Sequence, residues 1–400
     1  MGTELKGKNI VLGVCGGIAA YKSVELLRLL TKEGAKVRVL MTDNAKWFVG
    51  PGTFEALSGR PVCSNLFDHN DDAAIGHISW AEEAHAVVIA PATANFIGKI
   101  ANGIADDALS TFMLAVTSTV LICPSMNTNM YLSPPLQRNL RTLAEDGLLI
   151  FDPDSGDLAC GTHGPGRLPD PDVILDRLKA SLSPRDFEGK RILVTAGPTQ
   201  EPLDPVRFIS NPSSGKMGYA IARIAEHRGA DVTLIAGPVN LPKPYKVEVI
   251  RVRTAAEMAD AVFQRFDNAD VIVKTAAVSD YRPHTTAPQK IKKGEEELIL
   301  KLVKNQDILK ELGRRKTNQI LVGFAAETQS LEKHAGEKLE KKNLDIIVGN
   351  LVNIPASGFQ TDTNKVTLFF RNGTQEDLPV MEKEEVAQIL LDRISDIMGG

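Results

Sequence analysis

Several stretches of this chain set reactive side chains beside glycine, proline or serine, at places where a strand or helix must end. Gly13-Val14-Cys15-Gly16-Gly17 follows the apolar run from Asn9 and precedes a helical pattern. Glycines there let backbone N–H groups approach a phosphate at a helix N-terminus. Such a turn can equally be a tight corner, and it lacks both the GxGxxG spacing and the downstream acid of a dinucleotide site; a mononucleotide is the expected ligand. Pro91-Ala92-Thr93-Ala94-Asn95 and Pro124-Ser125-Met126-Asn127-Thr128-Asn129-Met130-Tyr131 each follow an apolar run, where open α/β sheets bind ligands beyond the carboxyl ends of their strands. His77, in Gly76-His77-Ile78-Ser79 shortly before a helix, has a side chain that titrates near neutral pH, but it can equally be a solvated or capping histidine. Asn127 can simply follow a proline in a turn, and Cys160 can be a small buried apolar group.

The second half carries its own set. Ser210-Asn211-Pro212-Ser213-Ser214-Gly215-Lys216-Met217-Gly218 approaches a P-loop but fails it, with Ser210 where glycine is needed and Met217 where a hydroxyl is needed. A polar loop capping the next helix is the competing reading. Ala276-Ala277-Val278-Ser279-Asp280-Tyr281 follows the buried run Val271 to Val273. Pro288-Gln289-Lys290-Ile291-Lys292-Lys293 can be a solvated turn neutralised by Glu295 to Glu297, and Lys338, Lys341 and Lys342 can be the wet face of a helix. Taken together, these lysines suit a triphosphate.

The elements that must hold these residues alternate. Strand Asn9–Val14 is followed by a helix with Val24, Leu26, Leu27, Leu29 and Leu30 at helical spacing, stopped by Gly34-Ala35, then by strand Val37–Met41. Ala86–Ala90 and Val120–Cys123 are further buried strands. At Arg191 the phrase recurs: strand Ile192–Thr195, a loop, a helix from about Gly218, and Gly229-Ala230 leading into Val232–Ile235. This alternation predicts two Rossmann-like doubly wound α/β domains, residues 1–188 and 189–400. Residues 152–172 carry too much Pro, Gly and Asp for a packed element. Ser183 to Asp186 with Glu188-Gly189 reads as a linker, and residues 349–400 offer a strand from Lys365 to Phe370 and a final helix, without chemistry.

Bulk properties narrow the class. With 43% hydrophobic and 24% charged residues the chain reads as an ordinary globular enzyme, and a net charge of −4 gives no reason to expect nucleic acid or an anionic membrane. No apolar run nears the ~20 residues of a membrane span, and the polar start, Met1 to Lys8, is expected to hold no signal peptide. Four cysteines without a CxxC pair point away from zinc and disulfides and toward a cytoplasmic location.

The first half resembles the homo-oligomeric flavin-containing cysteine decarboxylases, a flavodoxin-like family. The resemblance rests on His77 in its Gly-His-Ile setting, on Pro91 to Phe96, on Pro124 to Tyr131 with Tyr131 where the family has Trp, and on the flap Ala159-Cys160-Gly161 with Gly164-Pro165-Gly166-Arg167. Glu82-Glu83-Ala84-His85 departs from the family's Trp-Ala-Asp phrase. The resemblance implies FMN contacts from Gly16, Gly17, Thr42, Thr93, Asn95 and Lys99. It implies His77 as the base while FMN oxidises a cysteine thiol to a thioaldehyde, Asn127 as the carboxylate holder, and Cys160 as the acid that protonates the enethiolate left by decarboxylation.

Residues 191–348 resemble the phosphopantothenoylcysteine synthetase domain of bacterial bifunctional proteins. The matching phrases are Thr195 to Thr199, Glu201 to Arg207, Ile209 to Asn211, Ser213 to Gly218, the Lys290 cluster and Gly323 to Thr328. The implied reaction joins cysteine to 4′-phosphopantothenate through an acyl-cytidylate made from CTP, with Mg²⁺ on the triphosphate. It implies Asn211 and Arg207 at the substrate, Lys290 at the developing charge, and CTP contacts from Lys274, Thr275, Ala276, Asp280, Lys290, Gln306, Asp307, Ile308, Leu309, Phe324, Lys338 and Lys342. No carboxylate pair marks metal ligands. It also implies trimers of the flavin domain and dimers of the ligase domain, which together would build a dodecamer. Two alternatives stand beside this: related flavin chemistry on another cysteine substrate, and a flavin-binding regulatory subunit without catalysis. The first is opposed by the ligase half, the second by the presence of His77, Asn127 and Cys160.

Overall fold

In the computed structural model, which describes residues 5–65, 73–159, 161–292, 298–327, 331–351 and 361–399, the chain divides into two compact units, Met1–Ser183 and Pro184–Gly400. The first runs β1 (Asn9–Val14), α1 (Ala20–Lys32), β2 (Lys36–Met41), α2 (Pro51–Ser58), α3 (Ala73–Glu83), β3 (Ala86–Ala92), α4 (Ala94–Ile100), α5 (Ala108–Ala115), β4 (Thr119–Pro124), α6 (Thr128–Tyr131), α7 (Pro134–Glu145), β5 (Leu149–Ile150), β6 (Asp154–Asp157), β7 (His163–Arg167) and α8 (Pro171–Leu182). Its sheet has the order β2-β1-β3-β4-β5, all parallel. Every residue of β3 is buried, because helices cover both faces of a parallel sheet and leave no alternation of polar residues. This is the flavodoxin-like strand order, with its switch point between β1 and β3.

Two expectations are corrected in this unit. Residues 154–167 form a hairpin, β6 against β7, despite their composition. Gly164 and Gly166 hold φ of +153° and +143°, conformations open to glycine, and let the strand lie against the chain at 126–128: a Cβ on Gly166 would stand 2.1 Å from Met126 O. His77 lies inside α3 rather than before a helix, Gly76 being tolerated within it at a cost of ~1 kcal/mol.

The second unit runs β8 (Arg191–Ala196), β9 (Gln200–Pro202), β10 (Phe208–Ser210), α9 (Lys216–His227), β11 (Asp231–Ala236), β12 (Glu248–Arg251), α10 (Ala255–Phe266), β13 (Val271–Lys274), β14 (Tyr281–Pro283), β15 (Leu302–Lys304), α11 (Ile308–Arg315), β16 (Ile320–Glu327), α12 (Leu331–Lys341), β17 (Ile346–Leu351), β18 (Thr363–Asn364), β19 (Val366–Phe370), β20 (Gln375–Asp377), β21 (Met381–Glu382) and α13 (Lys383–Gly399). Its main sheet is β12-β11-β8-β13-β16-β17-β19-β20. The first six strands are parallel in the Rossmann order; β19 and β20 add antiparallel edges. Val271, Ile272 and Val273 are fully buried, each contributing ~1.5–3 kcal/mol over exposure. The segment expected as a linker is packed into this unit: Phe187 is buried in its core, and Asp186 pairs with buried Arg228 at 2.9 Å. Among the described residues no helix is long and apolar enough to cross a membrane.

Candidate active sites

In the first unit the ends of β1, β2 and β3 are tied into one edge. Cys15 N donates to Pro91 O at 3.2 Å and Thr42 N donates to Val14 O at 3.1 Å. Gly16 passes so close to Asn44 that an added Cβ would stand 2.4 Å from the Asn44 Cβ, whereas Gly17 has open space. Thr42 Oγ1 is buried without a hydrogen-bond partner. Thr93 caps α4 by accepting from Phe96 N at 3.4 Å, and Asn95 is exposed on the same helix. Burial pushes the Cys15 thiol up to about 12 against the hydrogen bond from Thr93, so it stays a neutral wall. A side-chain-free turn, an orphaned hydroxyl and a capped helix start fit the phosphate and polyol chain of a flavin. Lys99 sits apart from this cradle in its charge: Asp106 and Asp107 hold it at 2.6 and 2.8 Å and raise its pKa.

The reactive candidates gather at the neighbouring strand end. Asn127 caps α6, its Oδ1 accepting from Asn129 N at 2.8 Å, and its Nδ2 donates to Thr162 Oγ1 at 3.5 Å. Met126 N donates to Gly166 O at 3.0 Å. The loop bearing Asn127 and the hairpin β6–β7 are therefore one assembly. Tyr131 gives its hydroxyl to Asp152 at 2.8 Å; burial, then Asp152, pushes its pKa up to about 12. Cys160 and the His77 side chain lie outside the described residues.

The second unit opens a cleft of about 520 Å³ at its own switch point, between β8 and β13. Thr195, fully buried, accepts from Thr275 Oγ1 on its carbonyl at 2.6 Å and from Ala276 N on its side-chain Oγ1 at 3.2 Å. Thr199, also buried, accepts from Ser279 N at 3.0 Å. These two threonines fix the loop that carries Thr275, Ala276 and Asp280 into the cleft. Asn211 donates to Val278 O at 3.2 Å, placing the 211–218 loop on the facing wall. A Cβ on Gly218 would stand 2.5 Å from Thr275 Oγ1, so only glycine allows α9 to start this close to β13.

Lys274, Thr275, Ala276, Asp280, Gln306, Asp307, Ile308, Leu309, Phe324, Lys338, Lys342 and Asn211 all line the cleft. Lys342 and Asp307 pair at 2.9 Å; burial raises the Asp307 carboxyl, but Lys342 and the Lys310 amide outweigh it and leave it below its usual range. Burial lowers Lys274 to about 8, with Lys342 adding to the push. Arg207 and Lys290 do not line the cleft. They stand together outside it, pinned by Asp204, which accepts from Val206 N, Arg207 N and Ile291 N at 2.8, 2.8 and 3.1 Å. Arg207 donates in turn to Ile291 O. The residues that sequence reasoning left without a role are Thr195, Thr199, Asp204, Asn364 and Lys383. The first three stood in the matched phrases but show their part only through backbone partners; the last two carried no local signal.

Two nucleotide-type edges on two doubly wound sheets define a two-unit α/β enzyme. The family model for Flavoprotein matches residues 1–183, and that for the DNA/pantothenate metabolism flavoprotein C-terminal domain matches residues 187–398. The coenzyme A biosynthesis bifunctional protein CoaBC of Bacillus subtilis (strain 168) is 47% identical over 395 residues, covering 98% of this chain and 97% of the relative. That of Escherichia coli (strain K12) is 49% identical over 396 residues, with 98% and 97% covered. A crystal structure of the C-terminal domain of such a protein is 43% identical, with a TM-score of 0.47, and covers 54% of this chain and 98% of that one. The chain belongs to the family of coenzyme A biosynthesis bifunctional proteins, which unite a flavoprotein decarboxylase with a ligase.

Proposed function

We propose that residues 189–400 join cysteine to 4′-phosphopantothenate at the expense of CTP, and that residues 1–188 decarboxylate the product to 4′-phosphopantetheine with FMN. The observation that carries this reading is the second unit's cleft, where the residues expected at CTP converge at the switch point of a Rossmann sheet. Phe324, Gln306 to Leu309, Lys338 and Lys342 hold the nucleoside end, and Lys274 with the 211–218 loop faces the phosphates. The 4′-phosphopantothenate carboxylate attacks the α-phosphorus and expels pyrophosphate; the cysteine amine then expels CMP. Asn211 orients the acyl group; Lys290 and Arg207, which the resemblance sets at the developing charge, stand outside the cleft on the turn that Asp204 holds. Among the described residues no group of three acidic, His or Cys side chains can hold a metal, so Mg²⁺ enters on the triphosphate.

In the first unit Gly16, Gly17, Thr42 and Thr93 hold the FMN phosphate and ribityl chain, with Asn95 beside them. Bound FMN would supply the two-electron chemistry, accepting two electrons before the carboxylate departs and returning them afterwards, so that no net redox change results. Asn127 holds that carboxylate, His77 takes the thiol proton, and Cys160 returns a proton to the product. Exposed Trp47, Phe48 and Ile18 in the first unit suit contacts between copies of this chain; trimers of the flavin domain, dimers of the ligase domain and the dodecamer they would build are what the family resemblance implies. The thiols of Cys15, Cys63 and Cys123 support a cytoplasmic location.

The test is direct. Purified protein receives 4′-phosphopantothenate, cysteine, CTP and Mg²⁺, and products are read by mass with the visible spectrum recorded. Flavin bands, CMP and 4′-phosphopantetheine are expected; a colourless protein that leaves CTP intact would end the proposal.

A further inference from the structure

The cleft's far wall is made by the C-terminal segment, for which the sequence offered packing alone. Lys383, the first residue of α13, is 6% exposed, and Asn364 on β18 is 3% exposed; both line the cleft beside Lys216, the first residue of α9. The Asn364 Oδ1 is buried without a hydrogen-bond partner, while its Nδ2 reaches only Met217 Sδ at 3.6 Å. A half-turn of that amide would exchange the two and offer a strong donor. The start of α9 has no carboxylate in its first turn; the Ser213 and Ser214 hydroxyls accept from Gly215 N and Lys216 N at 3.4 and 3.5 Å, long contacts that leave the helix's partial positive charge available to an anion. The first turn of α13 differs: Glu384 pairs with Arg223 and Glu385 accepts from Glu382 N, so its contribution is the Lys383 ammonium alone.

Both lysines rest on one short stretch of chain. Lys383 donates to Thr361 O and Lys216 pairs with Asp362 at 2.6 Å. Asp362 is 77% exposed, so exchanging it for another anion costs little. The described cleft lining holds Lys216, Lys274, Lys338, Lys342 and Lys383 against two carboxylates, Asp280 and Asp307, a surplus that calls for a polyanion.

We propose that Lys216, Asn364, Lys383 and the N-terminus of α9 form a subsite for a terminal phosphate group of a bound substrate, with that phosphate displacing Asp362. This rests on the ligase reading for its source, because both CTP and 4′-phosphopantothenate end in such a group. It gives the C-terminal segment a binding role, closing the cleft from the side opposite Lys342.

Calorimetric titration with inorganic phosphate and pyrophosphate tests the subsite without turnover. The wild type should bind them, and Lys383→Met and Asn364→Asp should each weaken binding by about tenfold or more, the loss expected for one charge-assisted hydrogen bond. Lys383→Arg should recover most of it. Asn364→Asp keeps size and guards against a Lys383 variant that fails to fold. In steady-state assays, a rise in KM for CTP alone assigns the group to the nucleotide. A rise in KM for 4′-phosphopantothenate alone, with weaker preference over unphosphorylated pantothenate, assigns it to the acyl donor. Unchanged anion affinity and unchanged KM values in folded Asn364→Asp overturn the subsite. A wild type that binds pyrophosphate through Lys383 yet forms no amide would keep the subsite and end the ligase reading.

Discussion

Lys274 stands at the carboxyl end of β13, lining the cleft, and burial brings its pKa from 10.5 to about 8 with help from Lys342; Asp307 and Asp280 oppose the shift. Below pH 8 the ammonium persists in the folded protein at a cost. The gap to 10.5 corresponds to roughly 3 kcal/mol as an upper bound. An unfolded chain keeps the proton up to about 10.5 and the folded one only to about 8. Between those values the unfolded state binds more protons, so stability of the second unit rises with pH across that window. Lys274→Met removes the charge while keeping most of the volume. It should stabilise the ligand-free second unit at pH 7 by about 1–3 kcal/mol and abolish the rise between pH 8 and 10.

The same ammonium is what a triphosphate needs, so the variant should lose affinity for CTP by about tenfold or more. Calorimetric melts with and without CTP read both effects, at roughly 2–4 °C per kcal/mol for a unit of this size. Trp47 and Trp80 are the chain's only tryptophans, so fluorescence follows the first unit and identifies the other transition as the second. Wild-type protein should also take up protons on binding CTP near pH 8.5. A Lys274→Met protein that melts at or below the wild type at pH 7, or that CTP stabilises equally, would refute the reasoning.

Gly166→Ala places a Cβ 2.1 Å from Met126 O at a φ that disfavours side chains; the strain of ~1–3 kcal/mol should detach the hairpin from the Asn127 loop, and decarboxylation should fall at least tenfold while CMP release persists. Thr42→Val removes an orphaned buried hydroxyl, so the apo first unit should melt at or slightly above the wild type, yet flavin absorbance should be lost on dialysis about tenfold more readily. Asp204→Asn leaves one amide donor facing the backbone N–H groups it now accepts from; kcat for amide formation should drop with little change in CTP binding, measured by titration.

Strand and helix order were legible because parallel strands buried on both faces read as apolar runs, and because Gly34-Ala35 and Gly229-Ala230 punctuate each helix-to-strand turn. Asp280 was legible for a related reason, since it follows β13, whose end lies at the switch point; Lys274 and Gln306 were expected only from the family resemblance. The hairpin at 154–167 was not legible, since its partner is a loop and its pairing depends on glycines rather than on alternating side chains. Asp204 was hidden differently. Its chemistry is the holding of three amides, which leaves no motif of reactive side chains.

Lys383 and Asn364 mark the firmer limit of sequence reasoning. A lysine opening a helix and an asparagine beside a short strand have many ordinary explanations, and nothing within ten residues of either points to a phosphate. Their significance arises only because β18, β21 and α13 bring them to the start of α9, well over a hundred residues away in the chain. That wall hangs on the antiparallel edge β19, which pairs with β17, the last of the six parallel strands. The C-terminal segment therefore completes a cleft that the Rossmann core begins. Substitutions there should alter substrate affinity before they alter the fold, because Asn364 adds an unpaired polar atom to the core and gains a partner only when the cleft is filled.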